Sequence, residues 1–233
     1  MIINLNNIDL YYITIGIFLI SLIVQMQLQS KVKKYSKQKL SSGKTGVEVA
    51  QQMLNENGIY DVKVVSVGGF LTDHYNPITK TVNLSTDVFN GRNVAAAAVA
   101  AHECGHAIQH NKNYIFLHIR TIMTPICAFS ARFLTLFILL GFFMINISLI
   151  PLEIGICLYA VTTLFTFLTL PVELDASNRA LNWIEENNIV DNNEYKDAKS
   201  ALKLAAMTYV LAALASLTEL LRLISIVNSR KED

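Results

Sequence analysis

Charge is what this 233-residue chain has least of: charged residues make up 16% of it and hydrophobic residues 52%. A soluble domain usually carries about 25% charged residues. With a mean hydropathy of +0.39, the deficit excludes an ordinary soluble globule and points to a protein held in a bilayer. Cysteine is scarce too. Cys104, Cys127 and Cys157 lie far apart without C-x-x-C spacing, which excludes a disulfide framework and a cysteine-only metal site. The first apolar run has no basic n-region and no small-x-small cleavage site, so it is expected to be a retained anchor rather than a signal peptide. Internal repeats and low-complexity linkers are absent as well.

What is there begins with long uncharged runs. Leu10 to Ser30 carries no charge, enough residues to cross a bilayer. Phe133 to Leu152 and Ile154 to Val172 are two more, with Asn146, Ser148 and Pro151 near their junction, where a tight helical hairpin is expected. Leu204 to Val227 is a weaker fourth, interrupted by Glu219 and Arg222. Sixteen of the 19 lysines and arginines fall in 31–132 and 173–203. Because these residues stay mostly on the cytoplasmic side, both segments are expected there, in a multi-pass protein of the plasma membrane. The organisation expected is an anchor (1–30), a cytoplasmic segment (31–132), a transmembrane hairpin (133–172), a cytoplasmic helix (173–203) and a membrane-associated or transmembrane helix (204–233).

The first cytoplasmic segment reads as folded. Thr45 and Glu48 have capping-box spacing, and Val49, Met53 and Leu54 recur at helical intervals before Asn57-Gly58 closes the turn. "YDVKVVSVGG" alternates as a strand, "TDHYNPITK" reads as a turn and "TVNLST" as a second strand. Asn93 is placed to cap an alanine-rich helix. Cys104 on that helix is expected to be a small buried residue.

That helix carries His102, Glu103 and His106, an H-E-x-x-H pattern. At i and i+4 the two imidazoles share one helix face and can reach one zinc ion. Glu103 projects beside them as a general base, and a zinc held there lowers the pKa of water toward ~7. Burying His-Glu-His in so apolar a helix without a purpose is costly. A catalytic zinc takes a third protein ligand. His110 lies a further turn along and closes a one-helix site poorly. His74 and Glu173 remain as candidates, and Glu173 follows two intervening spans, so it returns to the same side of the membrane. Coming just after Pro171, it is expected to begin a helix.

In chain order, "LTDHYNP", "AAHECGHAIQH", "PVELDASNRAL" and "AAMTYVLAAL" resemble the YugP-type neutral zinc metallopeptidases of bacterial membranes, over about Thr45 to Leu223. The resemblance implies a mainly α membrane protein, with a helical zincin-like core, a small β-strand element and about four transmembrane helices. It implies a zinc peptidase centred on His102, Glu103 and His106, with Glu173 as third ligand. More distantly the chain is similar to the glutamate-liganded zincins, which usually place an aspartate four residues after that glutamate. Here that position is Ser177, and the acid is Asp175. Both are candidates for supporting a ligand, and His74 for bordering the substrate cleft. His110 and His118 are not expected at the site.

The function expected is peptide hydrolysis by zinc-activated water, with one Zn2+ per chain, a peptide or membrane-protein substrate, the lipid bilayer as surroundings and no nucleic-acid partner. The alternative is a non-catalytic membrane adaptor whose zinc is structural or absent. A metal transporter fits less well, since the second and third spans hold no charged or histidine-bearing pair.

Overall fold

The computed structural model describes residues 7–69 and 71–232. Among these residues, seven helices and three strands follow one another as α1 (Asn7–Tyr35), α2 (Gly46–Glu56), β1 (Lys63–Val67), β2 (His74–Asn76), β3 (Thr81–Ser85), α3 (Thr86–Asn90), α4 (Val94–Asn111), α5 (Ile115–Phe143), α6 (Ile150–Glu186) and α7 (Asn192–Glu232). Of these, α1, α5, α6 and α7 are each long and apolar enough to cross a membrane. The fold is that of a mainly α membrane protein with a small sheet.

The chain forms two compact units. One comprises Met1–Ile23, Ile119–Leu170 and Thr208–Asp233, the other Val24–His118 and Pro171–Met207. In the first, α5 and α6 form a hairpin. A Cβ added at Gly141 would stand 2.6 Å from the Leu152 backbone, so the two helices approach there at a distance that glycine allows. Leu152, Leu223 and Val227 form the buried core there. Thr163 and Ser216 hydroxyls meet at 2.7 Å between α6 and α7. The two charges that interrupt the last apolar run, Glu219 and Arg222, neutralise each other at 2.5 Å.

In the second unit the elements start as their local chemistry dictates. Thr45 and Glu48 form the capping box of α2, and Asn93 Oδ1 accepts the Ala96 N–H at 2.9 Å at the start of α4. The sheet order is β1-β3-β2, with β1 parallel and β2 antiparallel to β3, which leaves β2 as an edge. α4 runs through the centre of this unit. Ala97, Ala98, Ala100, Ala101, Cys104 and Ala107 all sit in its core with Met53, Leu84 and Ile184. The alanine run is therefore the stem of a helix surrounded by neighbours, where small side chains let α2, the sheet and α6 come close.

Two expectations need correction, and one helix extends beyond its uncharged run. "TDHYNPITK" is not only a turn: His74–Asn76 is a strand, formed because β3 offers a free edge, and the turn follows where Asn76 Oδ1 accepts the Ile78 N–H at 2.9 Å. α5 begins at Ile115, well before the uncharged run at Phe133, since helix formation does not require an uncharged sequence. Glu173 does not begin a helix either. α6 passes through Pro171 without a break, although proline withdraws an N–H from the ladder. Packing overrides the local signal: Val172, Glu173 and Ala176 are all buried, and the Val172 carbonyl accepts Gln109 Nε2–H at 2.7 Å.

Candidate metal centre

α4 and α6 meet at Gly105, where an added Cβ would lie 2.6 Å from the Ala176 carbonyl oxygen. This near-contact of backbones brings the two ends of the site together. His102 and His106, one turn apart on α4, present their rings edge to face with centroids 4.9 Å apart. His102 Nε2 lies 3.4 Å and His106 Nε2 3.6 Å from Glu173 Oε2 on α6. The three atoms that could ligate an ion all fall within 4.8 Å of one another, and among the described residues they are the His/Cys/Asp/Glu group so gathered. Two nitrogen or oxygen ligands of one tetrahedral zinc stand about 3.3 Å apart. The donor set of two imidazoles and a carboxylate therefore fits a zinc ion with a fourth position left open.

The other ring nitrogens decide which face of each imidazole carries a lone pair. Gln109, fully buried, directs its amide Nε2 at two acceptors, the Val172 carbonyl at 2.7 Å and Asp175 Oδ2 at 2.8 Å. Its Oε1 must then be the atom 3.0 Å from His106 Nδ1. An amide oxygen only accepts, so His106 Nδ1 is the donor of this contact, and Nε2, turned toward Glu173, is the nitrogen that the neutral ring would offer to a metal. Arg179 Nε donates to the same Asp175 Oδ2 at 2.6 Å, which completes a chain Arg179–Asp175–Gln109–His106. For His102 the corresponding partner of Nδ1 is Ser177 Oγ at 3.2 Å.

Glu103 lies beside the histidines but outside the ligand group. Burial pushes its carboxyl up to about 7, against the lowering influence of His102, with Glu173 and Asp73 adding to the rise. The backbone N–H of Tyr75 on edge strand β2 donates to that carboxylate. Such a group can hold or release a proton near neutrality. Cys104 faces the opposite way, with its Sγ 3.5 Å from the Ala50 carbonyl; burial pushes its thiol up and makes it inert packing.

The remaining histidines stand apart. His74 is exposed at the start of β2 and donates from Nδ1 to the Thr72 carbonyl at 2.7 Å. Its neighbour Asp73 accepts the Ser85 N–H at 2.7 Å, which ties the start of β2 to the end of β3. His110 Nδ1 meets the Tyr75 hydroxyl at 2.7 Å, and His118 is exposed on α5. Reading the sequence missed Gln109. Its position one turn after His106, on the same face of α4, is the one hint the sequence holds, and a helical glutamine reads as solvent-facing until its burial is known.

A family model described as "Putative neutral zinc metallopeptidase" matches residues 10–228. "Putative membrane protease YugP" of Bacillus subtilis (strain 168) is 42% identical over 223 residues, covering 95% of this chain and 98% of that protein. No solved structure matches.

Proposed function

Since the chain belongs to this family of neutral zinc metallopeptidases, we propose that it is a membrane-embedded zinc endopeptidase. His102, His106 and Glu173 hold one Zn2+, and Glu103 is the general base. The observation that carries the reading is the convergence of both Nε2 atoms on Glu173 Oε2 beside a buried carboxylate that is not a ligand. A closed structural site has no use for that carboxylate, which disfavours the adaptor.

When bound, zinc supplies Lewis-acid polarisation of the scissile carbonyl and acidifies the attacking water. The protein's own groups do the rest. Gln109 and Ser177 keep both imidazoles turned toward the ion. Glu103, steadied by the Tyr75 N–H, takes the proton from the water and returns it to the leaving amine. Edge strand β2 offers main-chain groups to an extended substrate, which adds as a further strand. The distribution of lysine and arginine supports an active site on the cytoplasmic side of a bacterial plasma membrane, with peptides or membrane proteins as substrates.

Glu103→Gln tests the reading. It should retain about one zinc per chain and lose peptide cleavage, whereas His106→Ala should lose both. Equal turnover by wild type and Glu103→Gln sinks the proposal.

A further inference from the structure

A cavity of about 670 Å³ lies between the end of α1 and the first half of α4. It is lined by none of His102, Glu103, His106 and Glu173. Val32 of α1, Leu71 ahead of β2, Val88 of α3, and Ala95 and Val99 of α4 give it apolar walls, beside a polar portion that includes Lys33, Asp73 and Asp87. Ala95, Val99, His102 and His106 follow one another at intervals of four, three and four, so they share one face of α4. The cavity thus comes within one helical turn of His102. Its other connection is through β2: Leu71 and Asp73 line it, and Tyr75, two residues on, bonds Glu103.

Volume and lining define what fits. Sites of ~300–1,000 Å³ hold ligands far larger than one amino-acid side chain, so the occupant is a short segment of chain rather than a single residue. The walls contribute valine, leucine and alanine, and burying apolar side chains against them is favourable by roughly 1.5–3 kcal/mol each. The α1 wall, Gln29 to Ser36, begins at the end of the uncharged run that closes at Ser30.

We propose that this cavity receives two or three consecutive apolar residues on one side of the scissile bond. The substrates are then polypeptides with an apolar stretch beside the cut, as at the membrane-proximal end of a transmembrane segment. This inference rests on the peptidase reading and assigns its substrate class.

The test is to digest a library of proteome-derived peptides with the full-length, zinc-loaded protein in detergent, and to align the cleavage sites by mass spectrometry. Wild type should enrich Leu, Ile, Phe and Met over two or three positions on one side of the cut. Val99→Phe and Val32→Phe fill the cavity from opposite walls, and either should shift the ratio of large to small residues there by about ten-fold. Two results overturn the proposal and leave the peptidase reading standing: cleavage by wild type without an apolar bias, or a bias unchanged in both variants, as expected of a cavity that holds lipid. A zinc-loaded wild type that cuts no peptide overturns both.

Discussion

Gly105 and Ala176 leave no room for a methyl group between them: a Cβ at 105 would meet the Ala176 backbone at 2.6 to 3.1 Å. This crossing of α4 and α6 places Glu173, one turn before Ala176, opposite His102 and His106. It also places Ser177, one residue after, against His102 Nδ1. The spacing between helices is thus part of the candidate metal site, although neither residue at the contact has a side chain capable of ligation.

Gly105→Ala should therefore damage the centre without touching a ligand. Backbone atoms on α6 cannot move aside as a flexible side chain would, so overpacking should cost about 1–3 kcal/mol. Both Nε2 atoms should draw away from Glu173, and zinc affinity should fall more than tenfold. Thermal unfolding and zinc titration against a chelating dye check this together. A variant that binds zinc as tightly as wild type means that the helices can separate without opening the site.

Gln109→Leu isolates the supporting chain. The substitution keeps the volume and removes the acceptor that fixes the His106 tautomer, and it also leaves the Val172 carbonyl without its donor. Loss of such a partner typically costs ten- to a hundredfold in metal affinity, and the zinc titration should show this. Asp175→Ala should be milder, because the Val172 carbonyl still orients the Gln109 amide. If the Gln109 variant binds zinc normally, the His106 ring is held by packing alone.

The parts of this structure legible in the sequence are those set by neighbours along the chain. The capping box at Thr45 and Glu48, the cap at Asn93 and the shared face of His102 and His106 all follow from local spacing. Glu173 could be approached only through parity of spans and resemblance, because its position depends on a helix crossing between residues far apart in sequence, Gly105 and Ala176. Gln109 was hidden for a related reason. Glutamine in a helix reads as solvent-facing until burial by α6 is known. β2 was hidden because a three-residue strand takes its identity from β3 rather than from its own pattern. Pro171 misled because its local signal is real, yet buried packing on α6 outweighs it.

Asn93→Ala tests how far the local cap of α4 matters in so packed a helix. Removing the side-chain acceptor for the Ala96 N–H should cost about 1 kcal/mol, seen as a lower unfolding midpoint in denaturant. The site lies two turns further along, so zinc affinity should hardly change. A large loss of zinc binding would show that the start of α4, and not its crossing with α6, holds the histidines in place.

Zinc-dependent stability separates ligand from base. A metal that binds only the folded protein stabilises it by about 2.7 kcal/mol when free ion exceeds Kd a hundredfold, which for a chain of this length is a rise in Tm of roughly 5–10 °C. Wild type stripped with chelator and then resupplied with zinc should show that rise. Glu173→Ala should lose most of it, because two imidazoles on one helix turn cannot close a three-point site. Glu103→Gln should keep it, since the carboxylate stands outside the ligand group and its hydrogen bond from Tyr75 can be accepted equally by an amide oxygen. The pair of variants thus assigns the two glutamates opposite roles in one measurement. A full rise in Glu173→Ala removes that residue from the ligand set, and a lost rise in Glu103→Gln makes Glu103 a ligand instead of a base.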